Sequence, residues 1–195
     1  MESNKTIVEE RIRFIRERVG YTQKQVASAL KISRSLVNNW EHGFANISLK
    51  QLIKLAYFYQ VPIDYLLGII DEVDSFPYRY VKEMDLKNIG MKLKNLRKSL
   101  GFTQEKFAQR IDTKRSSISY YEIGRMMIST ADLKQICETF GISADYLVGN
   151  LEQNIKREQK IKIKAKEIKE KIGNWEKFLF FKLFQIYDIL RWHHL

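Results

Sequence analysis

The sequence predicts an all-α protein: two tandem five-helix domains followed by a C-terminal helical segment. Three observations carry this. The chain matches itself without gaps at an offset of 81, residues 8–68 falling on 89–149 with 16 of 61 pairs identical. Apolar residues in both copies recur three and four positions apart, between residues that cap helices and glycines that stop them. Nine glycines and two prolines in 195 residues are too few for a turn-rich β-sandwich, and 45% apolar content is enough to bury a core.

The elements follow in order. VEERIRFIRERVG places Val8, Ile12, Ile15 and Val19 on one helical face and stops at Gly20. Thr22 has the chemistry to cap the next helix, QKQVASAL. After the break at Lys31-Ile32, Ser33 can cap RSLVNNWEH, which ends at Gly43. Ser48 opens LKQLIKLAYFYQ, and Pro62 opens a short fifth helix ending near Gly68. The second copy repeats the plan, with Thr103 and Ser129 as starts, Gly101, Gly124 and Gly149 as stops, and a third helix over roughly 114–123. The copies therefore read as two small domains, 1–68 and 89–149, joined by a linker over 69–88 and followed by residues 150–195.

The identities concentrate in three places. GYTQ at 20–23 falls on GFTQ at 101–104, WEHG at 40–43 on YEIG at 121–124, and IDYLLG at 63–68 on ADYLVG at 144–149. A short helix from Thr22, a turn and a second short helix make a helix-turn-helix. With the TQ helix start, the small Ala27 and Ala108, the Trp/Tyr-Glu-x-Gly element and the closing DYLLG or DYLVG, each copy resembles the lambda-repressor-like (XRE) DNA-binding family. The resemblance covers about 120 of the 195 residues.

The resemblance implies that the second helix of each motif lies in a major groove, its N-terminal residues toward the bases. Helical spacing turns Val37 and Trp40 inward and leaves Arg34, Ser35, Asn38 and Asn39 outward, with Ser33 at the exposed start. In the second copy Ile118 and Tyr121 turn inward, and Arg115, Ser116, Ser119 and Tyr120 outward, with Lys114 at the start. Arginine can pair bidentately with guanine and asparagine with adenine. By the same resemblance Gln23 and Gln104 would donate to backbone phosphates, and residues from His42 to Phe44 and Arg125 would lie near the other phosphate track. It also implies two internal ion pairs, Arg16 with Glu41 and Arg97 with Glu122, which fix the first helix on the third. The heads are not identical: SRSLVNN and KRSSISY share Arg-Ser and then diverge. If both bind adjacent half-sites, one chain covers an imperfect palindrome.

Net charge is +11, but it is not one basic surface. The two domains carry +4 each, the linker −2 and the tail +5. The linker could span at most ~70 Å, so it does not forbid a ~34 Å groove separation. Its run Phe76, Pro77, Tyr78, Arg79 and Tyr80 suggests packing on a domain, with a solvated tether as the alternative. The single cysteine, Cys137, fits a reducing cytosol and reads as a buried apolar residue. The N-terminus lacks the apolar stretch of a signal peptide, and no run of about 18 uncharged apolar residues exists to span a membrane.

In the tail, Ile161, Ala165, Ile168, Ile172, Trp175 and Leu179 keep a four-three seam. After Gly173 the sequence is apolar nearly all round, through Leu183, Ile186 and Leu190. Such a segment must be buried. Homodimerisation through Ile168, Ile172, Trp175, Leu179, Leu183, Ile186 and Leu190 is the leading reading. Docking on the chain's own domains and a membrane-surface helix are the alternatives.

No phosphate-cradling glycine loop, paired-histidine metal motif or nucleophile elbow is present, so an enzyme is not expected. No cofactor or metal is expected either, because His193 and His194 have no ligand partner at metal spacing. The sequence expectation is a cytoplasmic, sequence-specific regulator of double-stranded DNA, a repressor by family resemblance. The alternative is a protein-interaction regulator, antitoxin-like or a mobile-element inhibitor, in which one or both motifs serve as scaffold.

Overall fold

The computed structural model describes residues 6–73 and 78–152. The tail seam and its oligomerisation residues, and Phe76 and Pro77 of the linker, lie outside the described residues. Among those described, the chain is all-α, with ten helices. The first copy holds α1 (Ile7–Arg18), α2 (Gln23–Leu30), α3 (Arg34–Glu41), α4 (Leu49–Tyr59) and α5 (Ile63–Leu66). The second holds α6 (Leu86–Ser99), α7 (Gln104–Arg110), α8 (Arg115–Glu122), α9 (Thr130–Phe140) and α10 (Ala144–Val148).

The helix starts follow side-chain chemistry. Thr22, Ser33, Ser48, Thr103 and Ser129 each accept a backbone N–H from the first turn of the helix they open. Lys114 precedes α8 without a side-chain cap. Asp85 accepts from Asn88 N, so α6 begins at Leu86, three residues before the repeat match and inside the segment read as linker.

The helices of both copies pack round one continuous apolar cluster. Ile12, Val26, Val37, Trp40, Leu52 and Leu55 enter it from the first copy, and Ile89, Leu93, Phe107, Ile118, Leu133 and Ile136 from the second. Trp40 and Tyr121 are buried here, as their helical phase requires, and so is Cys137. One close approach distinguishes the copies. A Cβ on Gly90 would stand 2.4 Å from the Tyr121 carbonyl oxygen and 2.7 Å from that of Glu122. In the second copy only glycine lets α6 lie this close to the end of α8; the first copy has Glu9 there.

The copies meet at the tips of α5 and α10. Pro62 precedes α5 and offers no side-chain acceptor, so α5 has no cap of its own. Asp145 of the other copy supplies it: its carboxylate accepts Ile63 N–H at 3.0 Å and Asp64 N–H at 2.9 Å. Asp64 returns the contact, accepting Ala144 N–H and the Ser143 hydroxyl, both at 2.6 Å. Both carboxylates are buried, which is tolerable only because N–H and O–H donors meet them. Beside this joint Thr130 Oγ1 donates to the Ile47 carbonyl. A cavity of about 550 Å³ is lined by Ile47, Ser48 and Leu49 together with their repeat partners Ile128, Ser129 and Thr130.

The described end of the linker is packed rather than free. Arg79 N–H and Val81 N–H donate to the carbonyl and side-chain oxygens of Asn150, each at 2.8 Å. Asn150 is buried and donates its own amide to Asp145 at 2.7 Å. Tyr78 and Tyr80 stack on one another.

Candidate nucleic-acid interface

In each copy the second motif helix is held from behind by a three-residue network. Arg16 sits on α1 with its side chain largely buried; Nε and Nη2 donate to Glu41 of α3 at 2.5 and 2.9 Å, and Nη1 donates to the Tyr21 carbonyl at 2.9 Å. Arg97 repeats this with Glu122 at 2.5 and 3.0 Å and with the Phe102 carbonyl at 2.7 Å. The fork of an arginine suits this, reaching a carboxylate and a loop carbonyl at once. The side chains of Glu41 and Glu122 are only 1% and 2% exposed. Burial works against ionising Glu122, but donation from Arg97 and Gln104, with the charges of Arg97 and Lys94, outweighs it and holds the carboxyl below its ordinary range. Hydrogen bonding to their glutamates holds both guanidiniums above theirs.

The glutamines complete the networks. Gln23 Nε2 donates to Glu41 at 3.0 Å, and Gln104 Nε2 to Glu122 at 2.9 Å. Their amides, expected to reach for phosphate, are turned onto the buried carboxylates. The reason is physical: a desolvated carboxylate takes every donor in reach. Gln23 Nε2 also lies 3.4 Å from Asn38 Oδ1. The amide oxygen of Asn38 has a second lone pair and remains able to accept another hydrogen bond.

The outward faces are as follows. Ser33, Arg34 and Ser35 are exposed at the start of α3, and Asn38 and Asn39 are half-buried along it. The Ser33 hydroxyl accepts Leu36 N–H and lies 3.0 Å from the Ser35 hydroxyl. On α8, Lys114, Arg115, Ser116 and Tyr120 are exposed and Ser119 is half-buried. At the helix ends the copies differ again. His42 and Phe44 stack, with the Phe44 ring well out in solvent. In the second copy the Arg125 guanidinium lies 5.2 Å over the Tyr120 ring, and Ile123 and Met126 are exposed.

Three residues of the joint stand outside the sequence expectations. Asp64 and Asp145 enter the sequence only as part of a repeated DYL motif, although an identical acid in both copies is the available signal. Asn150 lies one residue past the repeat and carried no signal.

Comparison with known proteins places both copies. A family model described as helix-turn-helix matches residues 12–66, and one described as helix-turn-helix domain matches residues 90–150. The HTH-type transcriptional regulator ImmR of Bacillus subtilis (strain 168) is 38% identical over 65 residues, 33% of this chain and 50% of the relative. The HTH-type transcriptional regulator DicA of Escherichia coli (strain K12) is 36% identical over 67 residues, 34% of this chain and 50% of the relative. The antitoxin PezA of Streptococcus pneumoniae serotype 4 is 33% identical over 87 residues, 44% of this chain and 55% of the relative. The chain spans about half the length of the curated relatives it matches.

Proposed function

We propose that this chain, in which both copies are helix-turn-helix domains of the lambda-repressor-like family, is a sequence-specific transcriptional regulator of double-stranded DNA. It acts as a repressor, reading major grooves with α3 and α8 and occluding a promoter. The observation that carries this is the repeated presentation of an exposed Arg-Ser pair, Arg34-Ser35 and Arg115-Ser116, at the start of a helix clamped from behind by the same Arg–Gln–Glu network. Two of the relatives are named as transcriptional regulators, which supports the reading. Arg34, Ser35 and Asn39 read bases in the first head; Arg115, Ser116 and Ser119 do so in the second. No catalysis and no cofactor is involved, and the protein works in the cytoplasm. Homodimerisation through the tail then brings four reading heads together.

A second reading rests on the second head. Tyr120, Ile123 and Met126 are exposed apolar residues where the first head has Asn39, His42 and Ala45. A head with this surface fits a scaffold that binds protein. Enrichment of duplexes from a random pool by the full chain tests the two readings. A two-part motif supports both heads as readers; no enriched motif transfers the function to protein interaction.

A further inference from the structure

We propose that one chain is built to read an inverted repeat of fixed spacing, and that the buried Asp64 and Asp145 are the positioning residues that set that spacing. This rests on the reading that both heads bind DNA.

The argument is one of symmetry. Under the 81-residue offset, the contact of Asp64 with Ala144 becomes a contact of Asp145 with Ile63, and both are present. A contact matched by its own image marks an isologous joint, in which the partners are related by a two-fold axis. A head-to-tail joint would show one of these contacts without the other. The cavity beside the joint carries the same signature, since residues 47–49 face their own repeat partners 128–130. These residues end the loops that follow α3 and α8 and open α4 and α9, so the symmetry that relates them extends to the reading helices before them. Two reading helices related by a two-fold axis meet half-sites in opposite orientation. The halves are unequal in sequence, because Asn38 and Asn39 of one head are Ser119 and Tyr120 of the other.

The joint also removes the freedom that the linker would allow. Asp145 takes two backbone N–H groups of α5, and Asn150 ties the same carboxylate to Arg79 and Val81 of the linker. The heads are thus set against each other by short, buried bonds rather than by a tether of varying length.

The test re-presents the enriched half-sites in three arrangements: at their selected spacing, with about five base pairs inserted, which is half a helical turn, and with one half reversed into a direct repeat. Wild-type full-length chain and the Asp145→Asn variant are titrated against each. Insertion or reversal is expected to weaken wild type by roughly 100-fold or more, the scale that a correctly held second head contributes. Asp145→Asn is expected to match wild type on an isolated half-site, to bind the selected site more weakly, and to lose far less on insertion or reversal. Wild type that binds all three arrangements alike overturns the proposal without a variant being needed, while both heads remain readers. A variant with undiminished spacing discrimination removes the role of the aspartate. If no duplex is enriched at all, it is the DNA-binding reading that fails, and the proposal with it.

Discussion

Asp64 and Asp145 exchange contacts at each other's helix starts: buried Asp145 accepts the Ile63 and Asp64 N–H groups that open α5, and buried Asp64 accepts the Ala144 N–H and the Ser143 hydroxyl at the start of α10. Removing this exchange has a defined cost. In Asp145→Asn one acceptor oxygen becomes an NH2 group facing a backbone N–H, and a buried donor left unmatched costs about 1–3 kcal/mol. A melting temperature several degrees below wild type is expected by differential scanning calorimetry. Asp64→Asn should cost less, because the Ser143 hydroxyl can turn to accept from the new amide. Equal melting temperatures for Asp145→Asn and wild type would contradict the joint.

The same carboxylate makes stability depend on pH. Burial, and then the nearby charge of Asp64, push the Asp145 carboxyl up to about 7, against donation from Asn150 and the α5 backbone. The folded chain therefore holds this proton more tightly than the unfolded chain does. Between the ordinary carboxyl range and about 7 the folded state binds more protons, so stability falls as pH rises through that window. Melting temperatures measured from pH 5 to 8 should decline more steeply for wild type than for Asp145→Asn. Parallel curves would remove Asp145 as the cause.

Arg34 and Arg115 are exposed and hold nothing inside their domains together. Arg34→Ala and Arg115→Ala should each weaken binding to an enriched duplex by about 1–3 kcal/mol, roughly 5- to 150-fold, and relax preference at one base position. Both should leave the melting temperature within a degree or two of wild type. A silent Arg115→Ala beside a damaging Arg34→Ala assigns the second head to scaffolding.

Arg16 behaves oppositely. Arg16→Ala strands the Glu41 carboxylate in the interior, with Gln23 as its remaining donor. Breaking a buried pair from one side costs about 3–5 kcal/mol. Chemical denaturation should report that loss, with DNA affinity falling only as far as the folded fraction does. Arg97→Ala should do the same in the second copy.

The tail prediction rests on sequence alone. A chain ending at Glu152 keeps Asn150 and its bonds to the linker but discards the four-three seam. Size-exclusion chromatography with light scattering should show a halved assembly relative to full length. An unchanged number of chains per particle would sink dimerisation through this segment.

Much of the architecture was legible because helix spacing and caps are local. Thr22, Ser33, Ser48, Thr103 and Ser129 each announce a helix through chemistry that acts within three residues. The ion pairs of Arg16 and Arg97 came from family resemblance, since nothing in their spacing names a partner 25 positions away. The bonds of Gln23 and Gln104 to Glu41 and Glu122 were not legible for a related reason: they depend on a carboxylate being buried beside the amide, and burial is not a property of a sequence position. The joint was invisible because it depends on how two finished domains face each other. Pro62 does open α5, as its position suggested, and its lack of an acceptor is what leaves room for Asp145.

The joint also gives the chain a history as it is made. Ile63 and the carboxylate that caps it are 82 positions apart, whereas the helices of either head close through far shorter loops. Contacts so distant in sequence form late. During synthesis the first head can fold while its partner is still being translated, but α5 keeps open amide groups until residue 145 has emerged. Heads joined this way finish together: the first becomes complete only when the second does, and a chain cut short before Asp145 carries a reading helix whose supporting domain was never closed.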